Sequence, residues 1–114
     1  MLELLFSNKN TEKILFSLLK QQKVYAQGLS KNFNTAVFGI QEALQKLEKA
    51  GILVSFLEGK SRFYQFNPRY PFLKELKQFC EKVYEFLPRE QKEKYYEKAG
   101  RTRPRRAGKP IFLK

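Results

Sequence analysis

A mostly α-helical α+β fold is predicted for this chain: a winged helix-turn-helix with a C-terminal amphipathic helical extension and a basic tail. Three observations predict it. Between Val24 and Phe66 a short extended segment precedes two helical patterns joined by a tight turn. A β-rich hairpin with the basic tip Gly59-Lys60-Ser61-Arg62 follows directly. From Phe72 a further helix repeats apolar residues along one broad face. Residues 1–70 are expected to form the winged domain, 71–100 helices that join two copies, and 101–114 a flexible tail.

Each element has a local cause. Ser7 to Asn10 separate the apolar opening, Met1 to Phe6, from a first helix with Ile14, Leu15, Leu18 and Leu19 at helical spacing. Asn10 or Thr11 can cap that helix by accepting an orphan backbone N–H. Val24-Tyr25 suits a short strand, and Ala26 to Phe33 a brief helix with Ala26, Leu29 and Phe33 inward. Gly28 within it costs about 1 kcal/mol against Ala, so it either permits close packing or marks a weak helix. Asn34 is the predicted turn residue, because Asn tolerates positive φ. The next helix is expected from Ala36 to Ala50, with Ile40, Leu44 and Leu47 as its buried stripe and Val37 at the edge. Thr35 is the candidate cap at its start and Gly51 the left-handed stop. Pro68 and Pro71 then end the hairpin. The helix after Phe72 carries Leu73, Leu76, Phe79, Cys80, Val83, Phe86 and Leu87 on one face, and Pro88 breaks it. Arg89 to Lys98 is charged and helix-favouring, with Gly100 as its end.

Composition narrows the function. The formal charge of +12 predicts attraction to a polyanion, and six cations fall in the last fourteen residues. With no His and a single Cys, no zinc set can be assembled and no intrachain disulfide can form. No metal and no cofactor are expected. Met1 to Phe6 is too short and too acidic for a signal peptide, and no uncharged run reaches membrane-spanning length. The expectation is a soluble cytoplasmic protein, associated with the nucleoid. The chain has no His to act as a general base and no Gly-rich phosphate loop, so it is not expected to be an enzyme.

The run from Tyr25 to Pro68 resembles the arsenic-repressor-type winged-helix regulators of prokaryotes. The residues that carry the resemblance are Gln41, Leu44, Leu47, Glu48, Ala50, Gly51, Ile52 and Leu53, then Gly59 to Arg62, Tyr64, Asn67 and Pro68. It covers residues 7 to about 87 and is specific as a combination. It implies a homodimeric transcriptional regulator whose recognition helix is Ala36–Ala50. This chain departs from the metal-sensing members, which carry Cys and His ligands absent here. It also has Asn34 for a common turn Gly, and Ala36 for a common Ser/Thr cap.

A recognition helix needs short or polar side chains on its outer face, so that amides reach base edges. Thr35, Ala36, Phe38, Gln41, Glu42, Gln45 and Lys46 are the candidates, with Gly39 among them. Gln can bond adenine bidentately, Phe38 can lie against a thymine methyl, and Glu42 can accept from a cytosine amine. The bland alternative is a solvated face with Phe38 stapled to Phe33. Lys60, Ser61 and Arg62 of the wing suit phosphates, although hairpin tips are often charged. The tail cations Arg101, Arg103, Arg105, Arg106 and Lys109 suit a minor groove, or any polyanion including RNA. Phe72, Leu76, Phe79, Val83, Phe86 and Leu87 are the predicted homodimer seam, to which Tyr84, Tyr95 and Tyr96 can add or contact an effector. Cys80 reads as a packed small apolar group. Double-stranded DNA is therefore the expected partner. Two rivals stay open: an architectural or RNA-associated basic protein, and a winged helix that docks another protein.

Overall fold

The computed structural model describes residues 9–97. Expectations for Met1–Phe6, Gly100 and the tail cations Arg101, Arg103, Arg105, Arg106 and Lys109 lie outside the described residues. Helix α1 (Lys9–Lys20) buries Ile14, Leu15, Phe16 and Leu18. Asn10 and Thr11 sit inside this helix, so neither is its cap; Thr11 is buried among core side chains instead. Strand β1 (Val24–Tyr25) leads directly into α2 (Ala26–Phe33), and α3 (Val37–Lys49) follows after a three-residue break at 34–36. Strands β2 (Leu53–Glu58) and β3 (Ser61–Phe66) form the hairpin. Helix α4 (Leu73–Glu85), the short α5 (Arg89–Gln91) and a π-helical turn at Lys92–Tyr96 complete the described chain.

The three-stranded antiparallel sheet runs in the order β1-β3-β2. Its register pairs Ser55 with Tyr64 and Leu57 with Arg62, which puts each pair on one face. Gly59 takes φ 64° at the first turn position, where mirror-image hairpin turns favour glycine. This is a mostly helical α+β winged-helix fold.

The turn between α2 and α3 forms as its residues dictate. Asn34 adopts the left-handed conformation, φ 52° and ψ 51°, and Thr35 N–H closes the helix end on Ser30 O at 3.0 Å. Thr35 does not cap α3: its hydroxyl donates to Phe33 O at 3.1 Å and accepts from Lys13 Nζ at 3.3 Å. Ala36 takes the cap position outside the helix, and Ala50 follows its last residue. Gly51, at φ 86°, ends α3 with Ile52 N–H on Leu47 O and its own N–H on Glu48 O, both 3.0 Å. Gly28 is accounted for by close approach. A Cβ there would lie 2.7 Å from Tyr25 Cε1, so glycine lets the tyrosine ring rest across α2.

The core joins the stripe of α3 (Ile40, Ala43, Leu44, Leu47) to α1, β1, α2 and the C-terminal helices. Each fully buried aliphatic side chain contributes roughly 1.5–3 kcal/mol. At its far end Phe16, Tyr84 and Tyr96 stand edge to face, each pair of ring centroids 5.7 Å apart. Here the expectation is corrected. Tyr84 and Tyr96 are core residues of the protomer rather than exposed seam groups, and Leu87 is only 6% exposed within the same core. Leu76 and Val83 pack partly against it. Helix α4 turns Cys80 and Tyr84 inward, and Leu87 follows its end into the same core, where Tyr84 completes the aromatic cluster that Phe16 begins. Burial pushes the Cys80 thiol up to about 11, helped by the neighbouring Glu81, as suits a packed apolar group.

Candidate nucleic-acid interface

Helix α3 rests on its aliphatic stripe and presents Gln41, Glu42, Gln45 and Lys46 outward, all exposed. Phe38 is 66% exposed at its first turn. It has no staple on Phe33, whose ring stacks instead on Tyr95 at 5.0 Å. Gly39 turns away from the outer face, since a Cβ there would meet the Asn10 side chain at 2.9 Å. Thr35 is half-buried, and its hydroxyl, backbone N–H and carbonyl are all engaged within the fold, so it offers little to a ligand.

Between α3 and the wing lies a groove of about 360 Å³ lined by Gln41, Gln45, Lys60, Ser61 and Arg62, with Tyr25, Ala26, Gln27 and Tyr64. Five residues expected to contact DNA thus come together. Phe38, Glu42 and Lys46 lie outside this groove along the rest of the helix, and Thr35 and Ala36 lie outside it in the turn before the helix.

Two carboxylates near the groove, Glu58 and Glu48, are occupied. Glu58, beside the tip, bonds Lys23 Nζ at 2.5 Å on the other face of the hairpin, and Lys23 also lies over the Phe63 ring at 4.8 Å. Glu48 of α3 accepts from Ser55 Oγ at 2.6 Å, and Arg62 Nη1 donates to the same Ser55 Oγ at 2.9 Å. Burial, then the Glu48 carboxylate, push the Tyr64 phenol up, and Arg62 partly offsets this, so Tyr64 stays neutral. The groove is therefore a polar amide surface edged by cations. It can donate to and accept from base edges while its rim meets phosphates.

Asn67 braces the wing at its root. Its side-chain amide donates to Gly51 O at 2.9 Å and its backbone N–H to Ile52 O at 2.9 Å, tying the end of β3 to the start of β2. Sequence patterns missed Tyr25, Gln27, Glu48 and Ser55 as parts of the site. The hairpin register was the signal for Ser55, because a Gly59-Lys60 turn sets it across from Tyr64. Among the described residues no group of three or more acidic, Cys or His side chains could hold a metal ion, and no helix is long and apolar enough to cross a membrane.

No protein-family model matches the sequence, and no curated protein matches it. Solved structures do match. The adhesin competence repressor of Streptococcus pyogenes superposes with a TM-score of 0.56 at 17% identity, covering 73% of this chain and 66% of that one. The YusO protein of Bacillus subtilis gives 0.54 at 13%, covering 74% and 65%. A MarR-family transcriptional regulator of Rhodococcus sp. RHA1 gives 0.54 at 14%, covering 79% and 69%. This chain spans about two thirds of the length of the first two. At these identities the likeness establishes a shared winged-helix fold, and the one family named among these three is the MarR family, not the arsenic-repressor type.

Proposed function

We propose that this winged-helix chain is a sequence-specific, double-stranded-DNA-binding transcriptional regulator that acts as a homodimer on the nucleoid in the cytoplasm, without an enzymatic role. Residues 36–50 would lie in the major groove and the wing, 58–62, on the backbone. The observation that carries this reading is the groove in which Gln41 and Gln45 face Lys60, Ser61 and Arg62 while Glu48 and Glu58 are bonded elsewhere. The affinity to arsenic-repressor-type regulators rests on the motif residues alone, and the absence of His and of a second Cys argues against that family's metal response.

Selection from a random duplex pool, followed by anisotropy titration of the selected and a scrambled duplex, tests the proposal. A preference of about 1,000-fold or more for the selected duplex is expected. Equal affinity for both would end the reading. The concentration of charge in the last fourteen residues favours one rival, a basic nucleic-acid binder of low selectivity. Replacing Arg101, Arg103, Arg105, Arg106 and Lys109 by glutamine separates the two. The regulator keeps its preference with a shallower salt dependence, whereas the rival loses binding.

The homodimer seam is proposed along α4, trimmed of Leu87. Phe72, Phe79 and Phe86 recur at seven-residue intervals and stay exposed, at 62%, 44% and 71%. Leu76 and Val83 border them. A two-fold axis near Phe79 would set Phe72 of one protomer against Phe86 of the other, and Glu75 against Lys82. Phe79→Glu is expected to give monomers in sedimentation equilibrium and to weaken a palindromic duplex by on the order of 100-fold. An unchanged dimer would place the seam elsewhere.

A further inference from the structure

Arg62 is exposed at the edge of the groove, on a two-stranded ribbon that would leave a long side chain many rotamers. It is nonetheless held. Its Nη1 donates to Ser55 Oγ at 2.9 Å, and Ser55 Oγ donates to Glu48 Oε2 at 2.6 Å. Ser55 has a single hydroxyl proton, and an ionised Glu48 can only accept, so the direction of the chain is fixed. The proton goes to Glu48, which leaves the oxygen lone pairs for Arg62. Three elements thereby meet at one oxygen: α3 through Glu48, β2 through Ser55 and β3 through Arg62. Tyr64, the cross-strand partner of Ser55 and 6% exposed, packs the same place from below.

We propose that Ser55 is a positioning residue of the DNA-binding surface, setting the Arg62 guanidinium at a fixed place relative to the recognition helix. This rests on the DNA-binding reading above. A guanidinium has five N–H donors, so one bond to Ser55 leaves the others for phosphate or a minor-groove base edge. Fixing it before contact removes part of the ordering cost of binding. The relay also keeps the Glu48 carboxylate on Ser55, where it does not repel the backbone. The wing and α3 then present base contacts and phosphate contacts in one register, as α3 alone could not.

The test is a double-variant cycle in the full-length chain, using the duplex selected from the random pool and its scramble. Arg62→Ala is expected to weaken both duplexes by about tenfold and to lower the salt slope by about one. Ser55→Ala is expected to weaken binding roughly threefold or more with Arg62 present, and by less than about 1.5-fold in the Arg62→Ala background. Ser55→Thr, which keeps the hydroxyl, should restore wild-type affinity. A hydroxyl that only supports the fold would give equal losses in both backgrounds, and that result overturns the proposal. So does an unchanged affinity in Ser55→Ala, or in Arg62→Ala. Should Ser55→Ala fail to fold by circular dichroism, Glu48→Ala interrupts the relay from its other end, with the same pattern expected. Selective binding by the wild type together with equal losses removes Ser55 alone. Wild type that does not bind duplex DNA removes the DNA reading and this proposal together.

Discussion

Phe16→Ala is expected to destabilise the domain by about 3–5 kcal/mol, the usual cost of emptying a large buried aromatic site. The side chain is 0% exposed and its ring meets Tyr84 and Tyr96 edge to face, both at 5.7 Å. Tyr84 cannot collapse freely into the vacancy. The Tyr84 hydroxyl is held by Glu97 at 2.7 Å, and its ring lies under Lys20 Nζ at 4.5 Å. For a small domain the loss is a large share of the total. Urea denaturation monitored by circular dichroism measures it, with Phe86→Ala as the matched control. Phe86 is 71% exposed in the protomer, so its loss should stay within about 0.5 kcal/mol when measured on monomer. Similar values for the two variants would show that the aromatic cluster does not hold the helices together.

Gln41→Ala combined with Gln45→Ala should sharply reduce discrimination without abolishing binding. Both amides line the groove, and each bidentate amide–adenine contact is worth roughly 1–3 kcal/mol of discrimination. The pair together supplies about 2–6 kcal/mol, or roughly thirtyfold and upward in the ratio of selected to scrambled duplex. Affinity for the scrambled duplex should hold, because Lys60 and Arg62 remain. The salt slope should hold as well, since no phosphate contact is lost. Lys60→Ala with Arg62→Ala is the mirror case. Both duplexes should weaken alike and the slope should fall by about two, while the preference persists. Equal losses of preference in the two double variants would mean that amides and cations do not divide the work of reading and holding. Retained preference in the glutamine variant would point to the second rival, a surface for another protein.

Much of the fold was legible because its signals are local. The strand at Val24-Tyr25, the helix over Ala26–Phe33, the turn at Asn34 and the stop at Gly51 all follow from residues adjacent in sequence. The hairpin was legible for the same reason. What escaped depends on contacts distant in sequence. Helix α4 carries more apolar residues than one face can bury, so its periodicity could not say which side the core would take. Tyr84 and Tyr96 were read as surface groups because a tyrosine can finish either in a core or in an interface. Phe16, whose position decides between them, lies on the opposite end of the chain. The candidate site shows the same division. Gln41, Gln45, Lys60 and Arg62 stand out by residue type and place. The link from Glu48 through Ser55 to Arg62 appears only once the strands are in register and α3 is docked beside them.

The meeting of Phe16 with Tyr84 and Tyr96 has a kinetic consequence. Those contacts join α1 to the last described turn, so completing them closes a loop over most of the chain, and that entropy must be met late. The helix pair and hairpin at 24–66 can assemble from near neighbours beforehand. Phe16→Ala should therefore accelerate unfolding in stopped-flow measurements and leave the refolding rate nearly unchanged. During synthesis, a ribosome that has not yet released Tyr96 would carry a domain able to shape its wing but still open at its base.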